Sequence, residues 1–350
     1  MESSKETVQQ VKDYYGEELT TSADLKTTAC CTGDAIPVEH KKILATLEDE
    51  ILAKFYGCGS PLPESIKGRT VLDLGCGSGR DVYLASKLVG ETGYVIGVDM
   101  TDNQLEVAQR NIDKQMRTFG FSKPNVSFRK GYIEDLQSVE IADNSVDIVI
   151  SNCVLNLSVD KKKAFAEIFR VLKPGGELYF SDVFADRRVP ADLIDDPVLY
   201  GECLSGALYT EDFRRIMLEC GFQDFRVVEQ SPIGIENPDI EEKLGMINFD
   251  SITIRAFKLA NLEDTCEDYG QIAIYKGTID GMPHSFDLDD HHQFITGKPY
   301  TVCGNTASML GETRFAEHFT ILGDRAVHYG LFDCSETPAV KNGASTAGCC

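Results

Sequence analysis

The sequence is short of positive charge: 34 Lys and Arg stand against 56 Asp and Glu, a net charge of −22. Such an excess repels phosphate backbones and anionic lipid, so neither nucleic acid nor a membrane surface is an expected partner. There is no run of about 18 apolar residues, the length a membrane span needs. The opening MESSKETVQQ lacks the apolar stretch of a secretory signal, and a cytoplasmic protein is the expectation. Cysteine is present, 12 in 350 residues, but too sparse for a disulfide scaffold in a chain long enough to bury a core without covalent staples. No Cys-x-x-Cys occurs, and the adjacent pairs Cys30-Cys31 and Cys349-Cys350 match no zinc spacing. Reduced thiols and no structural metal are expected.

What is there is the length and apolar content of about two domains, 350 residues with 42% hydrophobic. Residues 1–70 carry two helical patterns, the second after Pro37 with Ile43, Leu47, Ile51 and Phe55 at four-residue spacing. From Thr70 onward short apolar runs alternate with helix-length segments: Val71–Leu74 then Arg80–Leu88, Tyr94–Val98 then Asp102–Phe119, Val126–Phe128, Val146–Ile150 then Asp160–Leu172, and Glu177–Phe180. That alternation predicts an α/β domain over residues 71–260 with a mostly parallel sheet and crossover helices. Asp160 and Thr210 are the expected helix caps, and Cys220 fits an apolar helical stripe. Beyond residue 260, Gln271–Lys276 and Tyr300–Cys303 alternate like antiparallel strands, predicting a small α+β module over 261–334 ahead of a flexible tail, 335–350. His291-His292 in that module is read as two adjacent strand residues on opposite faces, not a metal pair.

The strongest local motif is Val71-Leu-Asp-Leu-Gly-Cys-Gly-Ser-Gly-Arg-Asp81, a strand running through Gly75, Gly77 and Gly79 into a helix, with Asp99 closing the next strand. A dinucleotide fingerprint needs Gly-x-Gly-x-x-Gly and a pyrophosphate on the helix N-terminus; here the loop is Gly-x-Gly-x-Gly, preceded by Asp73. An acid there is wrong for a pyrophosphate and right for a cation. The loop resembles motif I of the Rossmann-like S-adenosylmethionine methyltransferases, whose cofactor carries a sulfonium and an α-ammonium group. Asp73, Asp99, Glu134 and Asp135 are the candidate source of a negative field. Cys76 and Met100 flank two of these positions, Ile133 of Gly131-Tyr-Ile-Glu-Asp135 is the candidate adenine contact, and Asn152 follows the fourth strand beside the cofactor turn.

The acceptor is a separate question. Cys153 directly follows the fourth strand, at the sheet edge where ligands of open α/β folds bind, although a buried packing cysteine is the blander account. Cys203 lies after the fifth strand, Cys58 between glycines in Tyr56-Gly-Cys-Gly59, and Cys30 and Cys31 in a polar loop, where a thiol without a task is an oxidation liability. Thiols gathered around a methyl donor point to a thiophilic substrate. Trivalent arsenic keeps a lone pair when held by three thiolates, so its methylation needs no general base.

These residues resemble the arsenite S-adenosylmethionine methyltransferases over nearly residues 8–260. The matching strings are Asp13-Tyr-Tyr-Gly16, Ser22-Ala-Asp-Leu25, Phe55-Tyr-Gly-Cys-Gly59, Asp73-Leu-Gly-Cys-Gly-Ser-Gly-Arg-Asp81, Ser151-Asn-Cys-Val154 with Asn156-Leu157, Gly176-Glu-Leu-Tyr-Phe-Ser-Asp182, and Gly201-Glu-Cys-Leu204 with Gly206-Ala-Leu208. The resemblance implies a seven-stranded Rossmann-like methyltransferase, with Cys58, Cys153 and Cys203 holding trivalent arsenic and Cys30 acting as redox partner. It also implies S-adenosylmethionine as cofactor, glutathione or a thioredoxin-like protein as reductant, trivalent arsenicals as thiol conjugates as substrate, and a monomer. The doubled thiol leaves Cys31 able to stand in for Cys30. Two other readings remain open: a methyltransferase acting on another small nucleophile, and a metalloid-binding protein without catalysis, which would have no use for Asp73, the glycines and Asp99.

Overall fold

A computed structural model describes residues 36–54, 61–194, 196, 199–200, 203–235 and 237–334. Cys30, Cys31 and Cys58, with residues 335–350, lie outside the described residues.

The apolar runs become a twisted sheet of β1 (Thr70–Leu74), β2 (Tyr94–Asp99), β3 (Val126–Lys130), β4 (Val146–Asn152), β5 (Leu172–Ala185), β6 (Leu208–Tyr209), β7 (Phe225–Pro232) and β8 (Phe249–Phe257). The order is β3-β2-β1-β4-β5-β8-β7, with the two-residue β6 paired to β5 off that path. The first five are parallel, and β8 runs antiparallel to both β5 and β7. Strands covered on both faces are mostly apolar, and Val71, Leu72 and Leu74 of β1 are all fully enclosed, with Asp73 the one acid among them. Strand order reverses between β1 and β4, and a crevice opens at their carboxyl ends.

One core packs Phe165 and Phe213 of the crossover helices against Phe180 and Phe184 of β5, with ring centroids 5.2–6.0 Å apart in tilted or edge-on pairs. Burying each such side chain contributes about 1.5–3 kcal/mol. A second core packs Val82, Tyr83 and Val89 of the helix Arg80–Val89 beneath the other face.

Two expected helices are broken. The segment Asp102–Phe119 divides at Asn111 into Asp102–Arg110 and Ile112–Phe119. The Asn111 side chain donates to the Val107 carbonyl at 2.9 Å and to Glu50 at 2.7 Å, competing with the regular ladder. The pattern from Ile43 to Ile51 divides into Val38–Leu44 and Asp49–Ala53, with Thr46 Oγ1 donating to the Ile43 carbonyl at the break. Asp160 caps its helix by accepting from the Lys163 N–H, whereas Thr210 is the first helical residue and its side chain caps nothing. Cys220 packs against the core while remaining half-buried.

The C-terminal module builds from β9 (Glu267–Asp268), β10 (Gln271–Tyr275), β11 (Ser285–Asp287), β12 (Gln293–Ile295), β13 (Pro299–Val302), β14 (Phe319–Leu322) and β15 (Gly330–Leu331), with the helix Gly304–Gly311. Its own core gathers Tyr275, Phe286, Phe294, Phe315 and Phe319. The buried Arg255 of β8 joins it to the sheet, donating to Glu177 at 2.7 Å and to the Leu288 carbonyl at 2.6 Å. His291 and His292 precede β12 rather than lying on a strand, so the opposite-face expectation fails: their rings sit 4.4 Å apart, and both turn toward Asp289.

Candidate functional site

At the crevice, the chain leaves β1 at Gly75 with φ +70°, and the Gly75 and Cys76 N–H groups donate to the Val98 carbonyl of β2. A Cβ at Gly75 would lie 2.4 Å from a Val154 methyl, so only glycine lets the turn sit beside the residue after Cys153. The Asp99 carboxylate accepts from the Gly77 N–H at 2.9 Å and from the Thr101 N–H at 2.8 Å, fixing the loop against the end of β2.

The resulting cavity of about 1070 Å³, partly open to solvent, is walled by Asp73, Gly75, Cys76, Gly77, Asp99, Met100, Ile133, Glu134, Asn152 and Cys153. Gly79 is not on that wall; it caps the helix Arg80–Val89, where Phe128 and Ala108 leave no room for a Cβ. Asp135 also turns away, accepting from the Ser138 N–H, which leaves Glu134 as the acid facing the cavity.

The electrostatics fit a cationic ligand. Burial raises the Asp73 carboxyl well above the usual carboxylate range, and the neighbouring Asp81 and Asp99 push it further. Burial likewise raises Asp99, opposed by its backbone hydrogen bonds. Asp81 Oδ2 accepts from Asn152 at 3.1 Å, while its buried Oδ1 accepts no hydrogen bond although Arg80 Nη1 is 3.3 Å away. Three crowded carboxylates lose mutual repulsion when a positive group enters. A sulfonium bearing an α-ammonium group is such a ligand.

Cys153 lines this cavity, and Cys203, which does not, packs behind it. Cys203 Sγ donates to the Cys153 carbonyl at 3.4 Å, although the residues are 50 apart in sequence. Both are enclosed, 0% and 3% exposed, and both hold left-handed backbones, φ +63° and +54°. The Cys153 sulfur is disulfide-bonded, against the expectation of reduced thiols. Cys58 and Cys30 cannot be placed relative to this pair, since neither is described.

Over residues 65–221 the chain matches the methyltransferase domain family, and over residues 269–347 it matches the arsenite methyltransferase C-terminal domain family. An arsenite methyltransferase of Aquipseudomonas alcaligenes is 53% identical over 323 residues, 92% of this chain and 93% of that protein. The chain belongs to the arsenite methyltransferase family. The human arsenite methyltransferase is 41% identical over 314 residues, 89% of this chain and 82% of that one. The crystal structure of an arsenic (III) S-adenosylmethionine methyltransferase from Chlamydomonas reinhardtii superposes with a TM-score of 0.83 at 53% identity, covering 85% of this chain and all of that chain.

Around Cys153 and Cys203, sequence reasoning passed over three residues. Lys161 donates to the Ser158 carbonyl at 3.1 Å; burial holds its ammonium below the usual lysine range, opposed by Asp182, Cys203 and Glu134. Tyr200 donates to the Leu157 carbonyl at 3.0 Å beside Cys203. Asp182 accepts from the Asn156 side chain at 2.7 Å and the Val183 N–H at 2.8 Å, and burial raises its carboxyl to about 7. Only the matched string ending at Asp182 marked any of them in the sequence.

Proposed function

We propose that the chain methylates trivalent arsenic, which it holds through Cys58, Cys153 and Cys203, and that Asp73, Gly75, Cys76, Gly77, Asp99, Met100, Ile133, Glu134 and Asn152 hold S-adenosylmethionine. The observation that carries this reading is the contact of Cys203 Sγ with the Cys153 carbonyl, beside a cavity that Cys153 lines together with Asp73, Asp81 and Asp99. Bound there, the cofactor supplies an electrophilic methyl group on a sulfonium. The chain's own residues do the rest. The thiolates exchange with the thiol ligands of an incoming arsenical, so the metalloid is never released as a free ion. Three sulfur ligands leave the arsenic lone pair uncommitted, and holding it toward the cavity supplies much of the acceleration through proximity and orientation. No side chain has to remove a proton from the acceptor.

Methylation raises arsenic from the trivalent to the pentavalent state. Two thiols return it by giving up two electrons and joining as a disulfide, and we assign this to Cys30, or Cys31 in its stead, with Cys58. Glutathione or a thioredoxin-like protein then opens the disulfide by thiol exchange. That Cys153 can itself be disulfide-bonded supports a need for such a reductant, because an oxidised sulfur cannot ligate arsenic. We infer further that the protein works as a cytoplasmic monomer, in a reducing compartment that keeps the thiols available.

The test is incubation of the reduced protein with arsenite, glutathione and labelled S-adenosylmethionine, followed by speciation of the products. Labelled methylarsenicals are expected, and none from Cys153→Ser or Cys203→Ser. Normal turnover by either variant would refute the assignment.

A further inference from the structure

The loop between β11 and β12, Leu288-Asp-Asp-His-His292, holds a cluster of side chains that the arsenic chemistry does not use. Period-two reasoning sets adjacent strand residues on opposite faces, but these two histidines precede the strand. The Asp289 side chain is enclosed, and its Oδ1 accepts from the His292 N–H at 2.7 Å and the His291 N–H at 3.1 Å. His292 Nδ1 is 2.8 Å from each Asp289 oxygen. His291 Nδ1 is 3.5 Å from Asp289 Oδ1 and 2.5 Å from Asp290 Oδ1. One ligand atom from each of Asp289, His291 and His292 lies within 4.8 Å of the other two.

We propose that Asp289, His291 and His292 bind a divalent transition-metal ion of the zinc type. Zinc takes imidazole nitrogen and carboxylate oxygen at about 2.0–2.2 Å, so neighbouring ligand atoms around a tetrahedral ion stand about 3.3 Å apart. The separations of the two ring nitrogens from Asp289, 2.8 and 3.5 Å, bracket that value. Hydrogen bonding alone accounts less well for the arrangement. Three nitrogens already lie within hydrogen-bonding distance of Asp289 Oδ1, which has two lone pairs, and the His291 ring nitrogen makes a fourth neighbour. An ion turns the two ring nitrogens from competing donors into ligands: each gives its Nδ1 lone pair, and the neutral ring carries its proton on Nε2.

Charge and access agree with a cation. Asp224 and Asp289 flank Arg226 at 2.8 and 3.5 Å, and Asp290 stands beside them on the loop, so one guanidinium answers three carboxylates. Arg226 pairs most closely with Asp224 and reaches Asp289 through Oδ2, the part an outer partner plays for a ligating carboxylate. The ligands are held in advance: the Leu288 N–H donates to the His292 carbonyl and the Asp290 N–H to the Val227 carbonyl of β7, both at 2.9 Å. Asp289 and His292 are buried, whereas the His291 and Asp290 side chains are 30% and 49% exposed and leave a way in. A cavity of about 200 Å³ against both rings, bounded by Tyr300 and Thr301, has room for a water to complete the coordination. Imidazole ligands select against calcium and magnesium, which take oxygen, and a cluster without sulfur does not suit trivalent arsenic.

The test uses full-length reduced protein, stripped of metal by a chelator and titrated with cobalt(II), whose absorption reports its ligands. In wild type, one equivalent is expected to bind with visible ligand-field bands and no thiolate-to-cobalt charge transfer, and zinc displaces it. That spectrum is retained in Cys153→Ser/Cys203→Ser, and the affinity behind it falls at least about tenfold in His291→Gln. Because His291 is partly exposed, His291→Gln keeps the core intact, which circular dichroism verifies. Zinc should also raise the unfolding temperature of wild type more than that of His291→Gln. Cobalt bound only with thiolate charge transfer, bound equally by wild type and His291→Gln, or not bound at all overturns the proposal.

Discussion

Cys203 Sγ and the Cys153 carbonyl oxygen are 3.4 Å apart, a hydrogen bond tying the loop after β5 to the end of β4. Each cysteine pays for its place with a left-handed backbone, φ +63° at Cys203 and +54° at Cys153, which costs a non-glycine residue about 1–2 kcal/mol. Such strain persists where the surroundings over-determine it, and here it accompanies the contact of the Cys203 thiol with the Cys153 carbonyl.

That strain is measurable. Cys203→Gly is expected to be at least as stable to denaturant as Cys203→Ala, by up to about 1 kcal/mol, because glycine adopts positive φ without penalty. Both variants lose arsenite methylation. If alanine proves the more stable, as glycine's greater unfolded-state entropy would normally dictate, the backbone at 203 is not strained.

Cys58→Ser removes one of three proposed arsenic ligands. Turnover of inorganic arsenite, which needs three sulfurs, is expected to fall to background, while a monomethylated substrate that needs two retains activity. Comparing product formation from the two substrates checks this, and equal loss on both would remove Cys58 from the ligand set.

Asp99→Ala takes away the carboxylate that accepts from Gly77 and Thr101 and faces the cavity. Calorimetry should find S-adenosylmethionine binding weakened at least tenfold, with arsenite binding to the protein unchanged. Unaltered cofactor affinity would contradict the placement of the cofactor.

Asp182 gives a pH signature of known sign. Burial raises its pKa from 3.8 to about 7, so between those values the folded protein keeps a proton that the unfolded chain has released. Its contribution to stability is therefore complete below pH 3.8 and is lost as pH rises toward 7. In Asp182→Asn the decline in stability across that interval should be smaller than in wild type; parallel pH profiles would show that Asp182 titrates normally.

Arg255 is fully enclosed and is held by Glu177, Glu64 and the Leu288 carbonyl. Arg255→Ala leaves Glu177 buried with one partner fewer, a change that costs about 3–5 kcal/mol. The denaturation midpoint should fall accordingly, with the C-terminal module loosening first in hydrogen exchange. A midpoint within error of wild type would mean that the two modules are not joined through this residue.

Much of the sheet was legible in advance, because strands buried on both faces are mostly apolar: Val71, Leu72 and Leu74 in β1, Val95-Ile96-Gly97-Val98 in β2 and Ile148-Val149-Ile150 in β4. The turn at Gly75, Gly77 and Asp99 was legible for a similar reason: a tight approach to β2 needs small residues and a carboxylate at set positions. The break at Asn111 was not, since it depends on Glu50, 61 residues away, reaching that side chain. Nor was the His291-His292 pair, which period-two reasoning placed on a strand, whereas Asp289 accepts both backbone N–H groups and curls the segment into a turn.

The sequence by itself determined the α/β architecture, the cation-suited loop and a supply of thiols, because each follows from residue type and local spacing. Tertiary structure alone decided that Cys203 meets Cys153, which lines the cavity. That contact rests on parallel crossovers and long loops that bring residues 50 apart together. No spacing along the chain encodes that distance, because it is set by how separate elements pack.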